Sequence, residues 1–432
     1  MTKNNTALGR DFWIYQFGQA VSVVGDGCSS VALAWWVLSA TGSASKMGFI
    51  LGSSVLSRVA LTVFFGPFGD RYSRKKLVIA GDLLRGMLTL AMMFFVYAGI
   101  FSMPLVVSVM MLLGAGSALF SAGSGGLVPK LVAPANMRRA LQYANALMSC
   151  GGLAGMALGG CMVSLAGAGG AFAFDAVSFF AASAASMTIA ADTVPDRKAP
   201  GEAAALRRWY RELKGGLRAI WRAPVIFWVT MLAGFMNFAS APIVVALPVL
   251  IKQEFRMSAA CFGVVMASLS LGMIAGSLVT SLVCRFIKPD QAMVAGLFLM
   301  GAGMAVLPWH PSVPLMSAVM LFCGILNAIV NIVLDTQITL SLPDSFRSRV
   351  SSAGNAFCGI LTPPGMWIAG LLAVSLGASS TIFIGGVAFA LSAPLLYLIP
   401  RFAQFYRTGH EHAPDFFKQH YPDAFTESAA TE

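Results

Sequence analysis

The sequence predicts an all-α polytopic membrane protein: twelve transmembrane helices arranged as two six-helix bundles, a 6+6 pseudo-repeat. Three observations carry that expectation. The 432 residues are 57% hydrophobic and only 11% charged, with a mean hydropathy of +0.76, whereas about a quarter of the residues in an ordinary soluble domain are charged. The apolar residues fall in long runs, and about 20 helical residues suffice to cross a hydrocarbon core. One long polar, basic segment, 192–223, divides these runs into two sets of six.

Each span follows from the same physics. A backbone in lipid must satisfy its own polar groups, so only helices or closed barrels cross. The runs lack the ten-residue alternation of barrel strands, and they are read as helices at 12–38, 47–68, 77–99, 104–127, 140–166 and 171–191. After the basic segment come 224–250, 258–283, 291–308, 313–340, 350–376 and 380–400. The first run, from Phe12, is too long for the apolar region of a signal peptide and has no small-residue cleavage site, so it reads as a retained span. In the glycine-rich fifth run, Gly151, Gly155 and Gly159 lie on one stripe and suit close packing against a neighbouring helix. The resulting organisation is an N-terminal bundle over 1–191, a cytoplasmic basic linker over 192–223, a C-terminal bundle over 224–401 and a cytoplasmic polar tail over 402–432, read as mobile. A faint internal echo, KLVIAG (76–81) against QAMVAG (291–296), fits a parallel repeat of the kind transporters use.

The formal charge of +11 raises the possibility of a nucleic-acid partner, and the position of the cations removes it. Of the 29 Lys and Arg residues, all but Lys46, Arg58, Arg85, Lys252 and Arg256 fall in segments that share one side when the N-terminus is cytoplasmic. That bias places both termini in the cytoplasm of a multi-pass protein of the bacterial cytoplasmic (inner) membrane type. The expected partners are therefore the lipid bilayer and a small-molecule substrate, with no nucleic acid, and the chain is expected to be a monomer. The seven cysteines show no ligand spacing and mostly sit in apolar runs, where they act as small packing residues. His410, His412 and His420 belong to the solvated tail rather than to a metal site. The sequence contains no Walker A lysine motif, nucleophile elbow or clustered metal ligands, so neither ATP-driven transport nor an enzyme is expected. No cofactor is implied, and the energy source is expected to be a proton gradient.

Charges inside the spans stand out, because one at mid-bilayer costs about 2.5–3.5 kcal/mol on insertion scales. Asp26 lies near the middle of the first run and Arg58 near the middle of the second. Asp26 reads either as a protonatable carboxylate facing a cavity or as one half of an Asp26–Arg58 ion pair. Arg58 reads as a holder of an anionic group or as the neutraliser of Asp26. Asp82 and Arg85, three residues apart on one face, read as a local structural pair. Asp175, near the outer end of the sixth run, is also read as structural. Asp335, on a polar run with Asn327, Asn331 and Gln337, is a candidate for coupling or substrate contact, as is Asn331. Gln19, Asn145, Asn237 and Asn355 suit bridges between helices better than substrate contacts. Aromatic and Met residues such as Trp35, Trp36, Phe235, Met236 and Phe238 could furnish an adaptable apolar cavity.

The densest short charge cluster is GPFGDRYSRKK, residues 66–76. It resembles the loop 2–3 signature of the major facilitator superfamily, G-x-x-x-D-R-x-x-R-K, with Gly66, Asp70, Arg71, Arg74 and Lys75 in the marked positions. GQAVSVVGDG (18–27), ATGSASKMG (40–48), RRALQYANALMS (138–149), AFAFDAVSFF (171–180) and RSRVSSAGNAF (347–357) are similar to its macrolide-efflux and enterobactin-exporter branch. In the fifth run GGLAGMALGG (151–160) is similar to the family's antiporter signature, but Met156 stands where that signature has proline. The resemblance implies the major facilitator fold, a gating role for the loop 2–3 residues, and an exporter of drug-like or siderophore-type amphipathic molecules working by proton antiport. An importer of a nutrient or ferric siderophore is the alternative on the same fold, and a non-transporting receptor or scaffold is a remote third.

Overall fold

The computed structural model describes residues 8–65, 68–190, 214–409, 413–421 and 425, and among them there is no strand. The long helices are α1 (Arg10–Thr41), α2 (Ala44–Phe65), α3 (Arg74–Tyr97), α4 (Met103–Leu131), and one element, Met137–Met187, that is really two. Gly167 interrupts this element at φ 71, ψ 177. That region is open to glycine alone at little cost, so the chain breaks there into α5 (137–166) and α6 (168–187). Then follow α7 (Pro224–Val249), extended by a π turn over Leu250–Glu254, α8 (Ala259–Phe286), α9 (Pro289–Val306) and α10 (Val313–Ser341). The eleventh, α11, runs over Asp344–Ile360, is interrupted at Leu361 and continues over Thr362–Ser375. Last of the long helices is α12 (Ala378–Ser392), followed by a 3₁₀ segment, Pro394–Leu398.

Ten of these elements, with the 54-residue stretch Pro134–Met187 taken as one, are long and apolar enough to cross a membrane among the described residues. The protein is thus an all-α polytopic membrane protein. The helix starts at 10, 44 and 344 lie two, three and six residues before the sequence-based edges, because polar first turns carry each helix past its apolar run.

The chain forms two compact units, 1–202 with 251–267, and 203–250 with 268–432. In the first, α1 packs on α5 and α6, α2 on α4, and α3 on α4 and α6. In the second, α7 packs on α11 and α12, α8 on α10, and α9 on α10 and α12. Adding six to each helix number converts one scheme into the other, which is the pseudo-repeat expressed as packing.

Small residues make these approaches possible, as expected where lipid removes the hydrophobic drive between helices. Gly151, Gly155 and Gly159 all turn towards α1, and a Cβ on Gly159 would lie 2.7 Å from Cα of Cys28. The Cys28 thiol donates to the Gly155 carbonyl across the same seam, at 3.4 Å. In the second unit Gly301 and Gly386 bring α9 and α12 together, each so close that a Cβ would meet the other's carbonyl oxygen at 2.6–2.7 Å.

The tail departs from its sequence expectation. The tail was read as polar and mobile, yet α13 (Phe402–Arg407) and α14 (Ala413–His420) fold onto the second unit. Phe402, Phe405, Tyr406, Phe416 and Phe417 are all buried, and the Gln337 amide donates to the Phe405 carbonyl at 2.6 Å. Burial pushes the Tyr406 phenol above its usual range and keeps it neutral. The tail's apolar face supplies the physical reason, since five aromatics among polar residues average out in composition. His420 stacks on Phe416 with centroids 4.6 Å apart, while His410 and His412 lie outside the described residues, as does most of the basic linker.

Candidate functional site

On α1, Gln19, Ser22, Asp26 and Ser29 follow a three-, seven- and ten-residue spacing and therefore share one face. Gly25, beside Asp26, lets α6 come in against it: a Cβ there would lie 3.0 Å from Cα of Asp175. Facing this stripe, α3 presents Asp82 and Arg85, and α6 presents Asp175 and Ser178.

The Arg85 guanidinium is the centre of the cluster. It donates through Nη2 to the Asp82 carboxylate, and its Nη1 lies 3.8 Å from Oδ2 of Asp26. Its carbon sits 4.4 Å from the ring centroids of both Phe120 and Phe179, so two π-faces hold the cation. Asp82 is fully buried and also accepts from the Gln19 amide at 3.1 Å. Asp175 is buried as well, and accepts from the Ser29 and Ser178 hydroxyls. Asp26 is half-exposed and faces a cavity of about 130 Å³ that Arg85, Thr89, Ser117 and Asp175 also line. Two carboxylates, Asp26 and Asp175, thus line the cavity with one cation, and a third, Asp82, is buried behind that cation and anchors it.

Asp26 therefore pairs with Arg85 and not with Arg58, which is exposed on α2 and has no ion pair among the described residues. The reason is one of packing: α2 docks on α4, with the Ser57 hydroxyl donating to the Met111 carbonyl at 2.7 Å, whereas α1 meets α3 through the α6 seam. Asp82 and Arg85 touch each other, but as members of the same cluster as Asp26. Asp175, read from sequence as structural near the outer end of its helix, lines the Asp26 cavity. Gln19 bridges α1 to α3, the role its sequence position suggests, whereas Ser29 goes unnoticed in the sequence although the polar stripe on α1 points to it.

The second unit holds a cavity of about 190 Å³ between α7, α9, α10 and α12. Asn331 lines it and donates to Asn327, at 2.8 Å to the carbonyl and 3.1 Å to the side chain. Asp335, one turn further along α10, is exposed and does not line the cavity. Asn145 and Asn355 are exposed, apart from both cavities.

In the loop 2–3 signature, Gly66 and the Asp70 side chain lie outside the described residues. Arg71 is exposed and lies over the Tyr72 ring, and the Arg74 guanidinium lies against Gly126 of α4. The Lys75 ammonium donates to the Met187 and Ile189 carbonyls at 2.8 and 2.7 Å. A cation placed on the last carbonyls of α6 satisfies orphan acceptors and opposes the negative end of the helix dipole.

A polytopic helical protein with a repeated packing scheme and a charged pocket in its interior belongs to the class of membrane transporters. The sequence profile of the Major Facilitator Superfamily matches residues 17–359 and 230–426, and the chain belongs to that family. Among curated relatives, the multidrug efflux pump Tap of Mycolicibacterium fortuitum is 25% identical over 393 residues, 88% of this chain and 92% of Tap. Macrolide efflux protein A of Streptococcus pyogenes is 22% identical over 401 residues, 89% of this chain and 95% of that protein. Among solved structures, an inward-facing bacterial homologue of the iron transporter ferroportin superposes with a TM-score of 0.70 at 15% identity. That match covers 93% of this chain and all of the other. A nucleoside transporter superposes equally well, at 12% identity over 90% of this chain. At these identities the structural likeness speaks for the fold alone.

Proposed function

We propose that the protein is a secondary active exporter of small amphipathic molecules, of the drug, antibiotic or siderophore type, driven by proton antiport. The observation that carries the reading is the first unit's cavity, which Asp26 and Asp175 line with Arg85, a cation whose charge the buried Asp82 already shares. An excess of buried carboxylates is costly unless matched, so a proton or a cationic group supplies the missing positive charge. The efflux proteins among its relatives support the outward direction in this reading. Asp26 is the exposed member of the cluster and is the proton acceptor in this reading, with Arg85 as its competing counter-charge. The chain sits in the cytoplasmic membrane with both termini inside, and it needs no cofactor and performs no covalent chemistry.

The test uses protein in vesicles under an imposed pH gradient, with a panel of lipophilic antibiotics and dyes as probes. Gradient-driven movement of at least one probe, lost in Asp26→Asn but retained in Arg58→Gln, is expected. Movement that persists at full rate in Asp26→Asn removes Asp26 from coupling, and accumulation only in the inward direction overturns export.

A further inference from the structure

The two cavities are the same cavity repeated, with opposite chemistry. Arg85 and Thr89 of α3 line the first, and the residues 215 positions later, Met300 and Met304 of α9, line the second. Asp82, which anchors Arg85, has Leu297 at that offset, and Leu297 lines the second cavity. On α4 the lining residues Met110, Leu113 and Ser117 recur 217 positions later as Asn327, Val330 and Leu334 of α10. Even the spacing on the first helix of each unit is kept, Asp26, Ser29, Ser30 and Leu33 against Ala233, Met236, Asn237 and Ser240.

What has changed is the charge. Among the described residues, no ionisable side chain lines the second cavity. Met236, Met293, Met300 and Met304 form a buried floor of four thioethers, whereas Asn237 and Asn331 at its edge are exposed. A dry cavity of about 150 Å³ is enough to hold benzene, so about 190 Å³ takes one six-membered ring with a small substituent. Thioethers pack favourably and adaptably against ring edges, and carboxamides both donate to and accept from a neutral carbonyl or hydroxyl. An ionic group would lose its hydration here without a counter-charge.

We propose that the cavity of the second unit is a binding site for an uncharged ring-bearing group, its ring on the methionine floor and its carbonyl or hydroxyl at Asn237 and Asn331. The proposal deepens the exporter reading by assigning the cargo's neutral ring to one unit, while the proton-carrying cluster occupies the equivalent place in the other. Substrate range is then set by α7, α9 and α10, separately from the residues that take up the proton.

The experiment measures binding of two probes, neutral benzamide and anionic benzoate, to purified full-length protein in lipid nanodiscs by saturation-transfer NMR titration. Benzamide binds and benzoate does not. Met300→Trp fills the floor and weakens benzamide at least about tenfold, or about 1.4 kcal/mol. Asn331→Leu, on an exposed face, also weakens it, by about fivefold, as loss of a hydrogen bond predicts. Asn355→Leu, outside both cavities, changes nothing. Equal binding of benzoate overturns the proposal, as does unchanged benzamide affinity in Asn331→Leu or in a monodisperse Met300→Trp. Should Met300→Trp fail to fold, Asn331→Leu decides alone. No gradient enters the measurement. Benzamide binding without proton-driven efflux therefore sinks only the exporter reading, and efflux without benzamide binding sinks only the cavity assignment.

Discussion

Arg85 is held by two aromatic rings while its charge is divided between two aspartates, one buried and one facing a cavity. Removing the cation leaves Asp82 buried without its counter-charge, and losing one partner of a buried pair costs about 3–5 kcal/mol. Arg85→Gln is therefore expected to lower the melting temperature of the detergent-solubilised protein markedly, and Arg85→Gln combined with Asp82→Asn to recover part of the loss. Arg85→Lys is expected to behave more like Arg85→Gln than like the native residue, because a point charge neither stacks on Phe120 and Phe179 nor reaches two carboxylates at once. A native-like melt for Arg85→Gln would show that the pair contributes nothing net. The charged residues themselves were legible in the sequence as anomalies in apolar runs. Their partnerships were not, because equal depth in neighbouring spans made Asp26 and Arg58 look matched. Only the packing of α2 on α4 and the seam of α1 with α6 determine which charges meet.

Most of the long helices were legible as elements, since hydropathy over twenty residues reports burial in lipid directly. Continuity was less legible: a single glycine at positive φ separates α5 from α6, where composition suggested only a short gap. The glycine stripe read from 151, 155 and 159 faces α1 along its whole length. Gly155→Leu inserts a side chain where a Cβ would already lie 3.0 Å from Cα of Gly27, and overpacking of this kind costs about 1–3 kcal/mol. The expected result is a lower melting temperature and a loosened α1, read as faster hydrogen exchange over 20–30. Gly152→Leu, at a half-buried position where a Cβ meets nothing within 4 Å, is expected to have little effect. Composition misjudged the tail, because α13 and α14 carry their aromatics on one buried face. Asp290, in the first turn of α9, accepts both ends of the Arg407 fork at 2.9 and 2.8 Å and a hydrogen bond from Tyr397 at 3.3 Å. That carboxylate holds Arg407 above its ordinary range and so permanently charged. Arg407→Ala is expected to free the tail, seen as rapid hydrogen exchange and new proteolysis over 402–420, with the melting of the long helices unchanged.

For the whole molecule, the sequence carries the fold class, because it is a sum over many residues, and a second such sum, the distribution of Lys and Arg, predicts the side on which the cations lie. Reporter fusions check the second: a fluorescent protein joined after Glu432 is expected to fold in the cytoplasm, and a thiol placed at Lys46 to react with impermeant maleimide from outside. The reverse labelling would invert the topology. The repeated packing scheme was visible in the sequence only as the six-residue echo at 76–81 and 291–296. Yet Gly81 faces Phe120 on α4 and Gly296 faces Val330 on α10, so that echo marks equivalent helix contacts. Asp26 and Met236 were legible as cavity residues, but the pairing of the two cavities was not, since the repeat keeps the spacing of the lining residues and discards their identities.

The end of α6 is fastened twice. Lys75 grips the carbonyls of Met187 and Ile189, and Asp11 accepts the backbone N–H of Ala190 at 2.9 Å. A helix terminus is ordinarily where a chain frays under load. Here tension arriving along the connecting segment that follows passes into the starts of α1 and α3 instead of peeling α6 away. The first unit thus receives a pull as one rigid anchor, and the lysine of the loop 2–3 signature is one of its two rivets.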